Sequence, residues 1–238
     1  MRADSARSSR TCSDRSCSRS PQRRTSRRSS SRRQLSKRAP RRPWCSHASA
    51  RAPEPVTDDR PQPWRVVGTR TIAADRWIRL RADECEDVDG RRITPYYVLE
   101  PADWISVLAL DDRGDAILVE EYRHGAGIVA LGTIGGAVEA DEAPIAAAHR
   151  ELREETGFAA SRMIDLGATW ANFGNHTNRV HHFLALDCTR AGGQSLDETE
   201  AIAVRVLSLS GLGEHLAQSY HQLTWYKAME WMAGSEPP

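Results

Sequence analysis

The chain has 238 residues and a formal charge of +1, but residues 1–53 hold 16 Arg and Lys against only Asp4 and Asp14, leaving 17 basic and 30 acidic residues beyond them. That length holds one domain of ordinary size with room for extensions. No stretch approaches the roughly 18 apolar residues of a membrane-spanning helix and none has the core of a secretory signal, so the sequence excludes a helical membrane anchor and predicts a soluble, cytoplasmic protein.

Residues 1–60 read as a disordered Arg/Ser-rich tail, typified by RTSRRSSSRR at 24–33, and residues 61–236 as the folded domain. The tail has too few aliphatic residues to offset its ordering entropy. Three readings of it stay open. It has the composition of an organellar transit peptide, it is an arm suited to nucleic-acid phosphates, or it is a start that does not belong to the working protein. Cys85 and Cys188 lack metal-type spacing and read as free thiols.

From Trp64 the chain alternates β-branched and apolar residues at 64–73, 77–88 and 93–100, with Asp89-Gly90 as a turn, which predicts a meander of antiparallel strands. Near-continuous apolar runs at 104–110 and 116–123 flank the turn DDRGD and read as central strands. A short strand at 128–134 leads to Gly135-Gly136. A helix is expected from Pro144 to Thr156, with Pro in its first turn and Gly157 as its left-handed stop. Ile145, Ala148 and Leu152 are expected to face inward and to pin the glutamates at an open edge. Strands at 161–170, 179–188 and 201–209 and a helix from Gly213 through Met232 complete the domain. Interleaved strands and helices predict an α/β fold, an α/β/α sandwich with a mixed central sheet and an N-terminal antiparallel strand region.

The stretch Gly136 to Phe158 carries the chemistry. Glu151, Glu154 and Glu155 lie three and four apart, so they crowd one helical edge, with Glu142 upstream and Arg150 directly before Glu151. Such crowding repels by a few tenths of a kcal/mol per pair. A divalent cation offsets that repulsion, and hard oxygen donors suit Mg²⁺, with Mn²⁺ as the alternative. The adjacent His181 and His182 would point to opposite faces of a strand and do not suggest a shared ion.

The pattern G-x5-E-x7-R-E-L-x-E-E-x-G-F resembles the box of the Nudix hydrolase family at every fixed position. The segments VEEYRHG (119–125) and E-x-E-x-I-x-V (198–204) are similar to the ADP-ribose pyrophosphatase branch of that family. The resemblance implies metal-dependent hydrolysis of the diphosphate in a nucleoside diphosphate linked to another moiety. ADP-ribose, giving AMP and ribose 5-phosphate, comes first, and GDP-mannose or another nucleoside diphosphate sugar is the alternative. It implies metal ligation by Gly135, Glu151, Glu154 and Glu155 and catalytic roles for Glu154, Glu200 and Arg150, the last by fixing glutamate geometry. Arg123 and Glu198 are implied substrate contacts, with an ion pair as the other reading of Arg123. It also implies a homodimer built through the N-terminal strands. Two positions depart from the branch: Gly132 stands where a glutamate is common, and Asn172-Phe173-Gly174 where a proline is common. Trp170, Phe173 and Tyr122 are expected in the core more readily than stacked on a base. The reading from another class is a nucleic-acid-binding protein working through the basic tail.

Overall fold

The computed structural model describes residues 60–234, which fall in one compact unit spanning 58–238. The predicted tail lies outside the described residues, so the readings of it do too.

Strands β1 (Arg65–Ala74), β2 (Arg79–Glu86) and β3 (Arg92–Leu99) form the expected antiparallel meander. Its turns are built by aspartates. Asp75 Oδ1 accepts the N–H groups of Trp77 and Ile78, and Asp87 Oδ1 accepts those of Asp89 and Arg91. The meander leaves Val66, Ile72, Trp77, Ile78 and Tyr97 exposed.

The larger sheet contains β4 (Trp104–Asp111), β5 (Ala116–Arg123), β6 (Ile128–Gly132), β7 (Ile134–Ala137), β8 (Phe158–Ala159), β9 (Arg162–Trp170), β10 (Arg179–Arg190) and β11 (Ile202–Leu207). Its main path runs β11-β5-β4-β10-β8, with β6 on β5, β7 on β4 and β9 on β10. Only β10 and β4 run parallel, so the sheet is mixed as expected.

The strand expected at 128–134 is in fact two. β4 and β5 pair only through Ala109–Ile117 and Leu110–Ala116. Beyond that the two strands part, and the chain crosses the opening at Thr133, leaving β5 as β6 and joining β4 as β7. Gly135-Gly136 therefore lie within a strand, at the floor of this opening.

Alternation along β4 sets the layers. Ile105, Val107 and Ala109 share a core with Ala147, Ala148 and Leu152 of helix α1 (Pro144–Thr156). Leu108 and Leu110 share another with Leu212, Leu216 and Ala228, the last from helix α2 (Ser219–Met232). The result is the predicted α/β/α sandwich. A polar seam crosses the second core: Ser106 Oγ lies 2.8 Å from Thr133 Oγ1 and 2.6 Å from Thr224 Oγ1, and His182 bridges Thr224 (2.8 Å) to Thr169 (2.9 Å). Burial holds His182 neutral, its pKa pushed down to about 4.

Two local expectations change. Ile145 is exposed, because burial on α1 begins at Ala147 and the first turn stands clear of the sheet. The C-terminal helix starts at Ser219, since Gly211 is left-handed and Gln218 extended; only a short 3₁₀ turn, Leu212–Glu214, precedes it. Among the described residues no helix is long and apolar enough to cross a membrane.

Candidate active site

Helix α1 delivers its glutamates onto β7. It begins with Pro144, whose missing N–H costs nothing in a first turn, and ends at Gly157 with φ 73°, whose N–H bonds Arg153 O. At Gly136 a Cβ would collide with the Glu151 carboxylate, so the absent side chain is the space that Glu151 Oε1 occupies. Gly136→Ala is therefore expected to evict Glu151 and cut kcat at least a hundredfold while changing the melting temperature little; unaltered turnover would show that Glu151 has no part in the chemistry.

Glu155 lies deeper than an open edge would place it. It is 4% exposed, and Gly135 N–H donates to its Oε2 at 3.2 Å. Burial above all, then the charges of Glu151, Glu121 and Glu200, push its pKa up to about 9 against that hydrogen bond. The expected exposed placement fails because Glu155 shares the inward face with Leu152 and Thr156. Glu151 is raised mainly by burial, opposed by Arg150.

Arg150 is the organising cation. Its Nε and Nη2 donate to Glu142 (3.0 Å each), its Nη1 to Glu151 (2.8 Å) and Glu154 (3.1 Å), and its Nη2 also to Ala137 O (3.0 Å). The Arg150 hydrogen bond holds Glu142 below the usual carboxylate range. Geometrically, Arg150 fixes glutamates.

The loop after β10 is tied to the end of α1: Ala191 N–H donates to Gly157 O (2.8 Å), Ser195 N–H to Glu154 O (2.9 Å) and Gln194 Nε2 to Glu155 O (2.6 Å). This brings the acidic turn 197–200 to the glutamates. Glu200 is exposed, accepts the Asp197 N–H (3.1 Å), and acts electrostatically on Glu121, Glu151 and Glu155. Glu198 is exposed in the same turn. Arg123 is ion-paired with Glu121, the second of its two sequence readings, and also lines a cavity of about 620 Å³.

Three further residues join this group. Glu121, on β5, faces Glu155 and Glu200, and its pKa is raised by burial. Its signal in the sequence is an acidic pair interrupting the apolar run of a central strand. Trp104 and His221 line the cavity, and nothing in their own segments marks them. By contrast Tyr122, Trp170 and Phe173 are 58, 56 and 87% exposed, not core. Trp170 ends β9, Tyr122 is next to last in β5 and Phe173 lies in the loop beyond β9.

A family model described as the NUDIX domain matches residues 101–227. The chain belongs to the NUDIX family. A second model, the nucleoside diphosphate sugar hydrolase N-terminal domain, matches residues 64–99, the meander of this Nudix protein. The ADP-ribose pyrophosphatase of Bacillus subtilis (strain 168) is 28% identical over 61% of this chain and 78% of its own length. The ADP-ribose pyrophosphatase of Mycobacterium tuberculosis (H37Rv) is 30% identical over 58% of this chain and 67% of its own. A solved structure titled as that of an ADP compounds hydrolase superposes with a TM-score of 0.67 at 22% identity, covering 74% of this chain and 97% of the other, and shows the shared fold.

Nudix hydrolases depend on a divalent metal, and the residues here suit one in charge and donor type. Glu155 is buried among carboxylates that each raise its pKa, an arrangement that a cation among hard oxygen donors relieves. Among the described residues no three acidic, His or Cys side chains already stand at metal-binding separation. Arg150 engages Glu151 Oε1 and Glu154 Oε2, and Gly135 engages Glu155 Oε2, so one oxygen of each carboxylate is left for a cation.

Proposed function

We propose that this Nudix hydrolase cleaves the diphosphate of a nucleoside diphosphate sugar, with ADP-ribose as its foremost substrate and AMP and ribose 5-phosphate as products. The convergence of Glu121, Glu151, Glu155 and Glu200 at the opening between β4 and β5 carries this reading. The names of its relatives and the match of the meander to a nucleoside diphosphate sugar hydrolase domain support the substrate class.

Glu151, Glu154, Glu155 and Gly135 would hold Mg²⁺, with Mn²⁺ as the alternative. Bound there, such a cation would supply neutralisation of the diphosphate oxygens and a lowered pKa for the attacking water. Arg150 keeps Glu151 and Glu154 in register, and Gly135 N–H orients Glu155. Glu200, exposed and within electrostatic reach of the cluster, accepts the proton of the attacking water. The new bond joins water oxygen to phosphorus, and the bridging P–O bond breaks. Arg123 and Glu198 would contact the substrate from the rim. Glu200→Gln is expected to lower kcat at least tenfold with KM within a factor of three; a rise in KM alone would recast Glu200 as a binding residue.

GDP-mannose is the second substrate reading, favoured by Gly132, which offers no side chain where similar proteins carry glutamate. Initial rates on ADP-ribose, GDP-mannose, UDP-glucose, NADH and diadenosine polyphosphates, with Mg²⁺ and with Mn²⁺, test the order. ADP-ribose should give the highest kcat/KM; a ranking led by a dinucleoside polyphosphate would refute the sugar assignment.

A homodimer through β1 to β3 fits the exposed Val66, Ile72, Trp77, Ile78 and Tyr97. Light scattering on the full chain should give twice the chain mass and Trp77→Ser a shift towards monomer; a monomeric wild-type protein refutes it.

A further inference from the structure

Beneath the glutamates, on the α2 side of the sheet, runs the polar seam that the chemistry above does not use. Register sets His182 of β10 beside Ser106 of β4, and Ser106 beside Gly135 of β7, so three neighbouring strands place these residues in one line across the sheet. Ser106 alternates with Ile105 and Val107, which face α1, and so points to α2. Ser106, Thr133, His182 and Thr224 are each at most 1% exposed. A buried polar group is costly when unpaired, and all four are bonded.

These hydrogen bonds admit one order of donors. Thr224 Oγ1 donates to Tyr220 O at 2.8 Å, one turn back along α2. Its single proton is thereby committed, and its two lone pairs take Ser106 Oγ (2.6 Å) and His182 Nδ1 (2.8 Å) as donors. Ser106, having donated, accepts from Thr133 Oγ1 at 2.8 Å. His182, neutral with its proton on Nδ1, accepts at Nε2 from Thr169 Oγ1 at 2.9 Å. Both branches therefore end on Thr224: Thr133 through Ser106, and Thr169 through His182.

The first branch reaches the site. Thr133 is where the chain leaves β5 for β4, and two residues on, Gly135 N–H donates to Glu155 Oε2. Only Ile134, fully buried, separates them, so the set of the crossing fixes the direction of that N–H. We propose that Thr224 is a positioning residue for the reaction: its hydroxyl, acting through Ser106 and Thr133, holds the crossing that aims Gly135 N–H at Glu155. This role rests on the hydrolysis proposed above, in which Glu155 serves. Valine at 224 keeps nearly the same shape and removes the acceptor that both branches share. Ser106 then turns its proton on Thr133, and His182 moves its proton to Nε2 to face Thr169.

The test is amide hydrogen exchange and ¹⁵N–¹H spectroscopy of the full chain without metal, alongside kcat and KM for ADP-ribose with Mg²⁺. Wild type should carry the His182 proton on Nδ1 and protect the Gly135 amide. Thr224→Val should move that proton to Nε2, speed Gly135 exchange at least tenfold while the amides pairing β10 with β4 stay within threefold, and lower kcat at least fivefold with KM within threefold. Thr224→Ser, which keeps the hydroxyl, should restore all of these. Ser106→Ala cuts only the first branch, so Gly135 exchange should speed up as much with the His182 proton still on Nδ1. Thr169→Val cuts only the second and should leave Gly135 exchange within threefold of wild type. Unchanged Gly135 exchange in Thr224→Val or Ser106→Ala, or equal acceleration across the sheet or by Thr169→Val, overturns the proposal and leaves the seam as core support alone. If wild type cleaves no nucleoside diphosphate sugar, the proposed reaction fails, and the exchange rates still decide whether Thr224 aims Gly135.

Discussion

Replacing Glu155 by glutamine is expected to abolish turnover and, in metal-free protein, to raise the melting temperature at neutral pH. The carboxyl titrates near 4.5 when unperturbed and near 9 in the fold. Between those values the folded protein keeps a proton that the unfolded chain has lost. Stability is therefore full below about pH 4.5 and falls by about 1.4 kcal/mol per pH unit as pH rises towards 9. At pH 7 the loss is roughly 3 kcal/mol, and an amide of the same size removes it. Glu151 and Glu121, also raised, act in the same direction. A cation that binds only the folded form adds stability by mass action. Melting curves in EDTA from pH 5 to 9, repeated with Mg²⁺, check this: wild type should weaken with rising pH and recover with Mg²⁺, and Glu155→Gln should do both to a clearly smaller extent, the remainder coming from Glu151 and Glu121. A Mg²⁺ response as large in the variant as in wild type would remove Glu155 from the ligand set.

Gly157→Ala should be the most destabilising conservative change in the box. The residue holds φ 73°, and an added Cβ would stand 2.5 Å from Gly192 O, a backbone atom that cannot step aside alone. Left-handed strain costs about 1–2 kcal/mol and the clash adds to it, for roughly 2–4 kcal/mol in all. For a domain of this size that lowers the melting temperature by roughly 5–15 °C. Gly90→Ala is the control: it has φ 76° with open space around it, so only the strain remains. The loop pinned on Gly157 O carries the turn with Glu200, so kcat should fall as well. Equal destabilisation by the two alanines would show that the loop yields freely.

The parts of the site that were legible in sequence are those set by neighbours along the chain. The limits of α1, its Pro start, its Gly157 stop and the glutamate spacing are local facts, and the strands followed from alternation. What escaped depends on contacts between distant segments. Glu155 could not be known as buried until the floor of β7 was in place above it. The parting of β4 from β5 leaves no trace in either strand, although it creates the opening and splits the run 128–134. Glu121 gave a faint signal as an acid in an apolar strand. His221 gave none, because it fills the space over Gly132, a glycine of a strand far from it in sequence. The cavity beside the glutamates is thus the least legible, since it is lined by single residues of several elements.

The central claim is metal-dependent attack of water on the diphosphate, and one measurement bears on it most directly. The full chain is incubated with ADP-ribose and Mg²⁺ in ¹⁸O-labelled water, and the products are identified by mass spectrometry. We predict AMP and ribose 5-phosphate, one of them carrying a single ¹⁸O, with no product in EDTA. Intact ADP-ribose, or products released equally well without the metal, would contradict it.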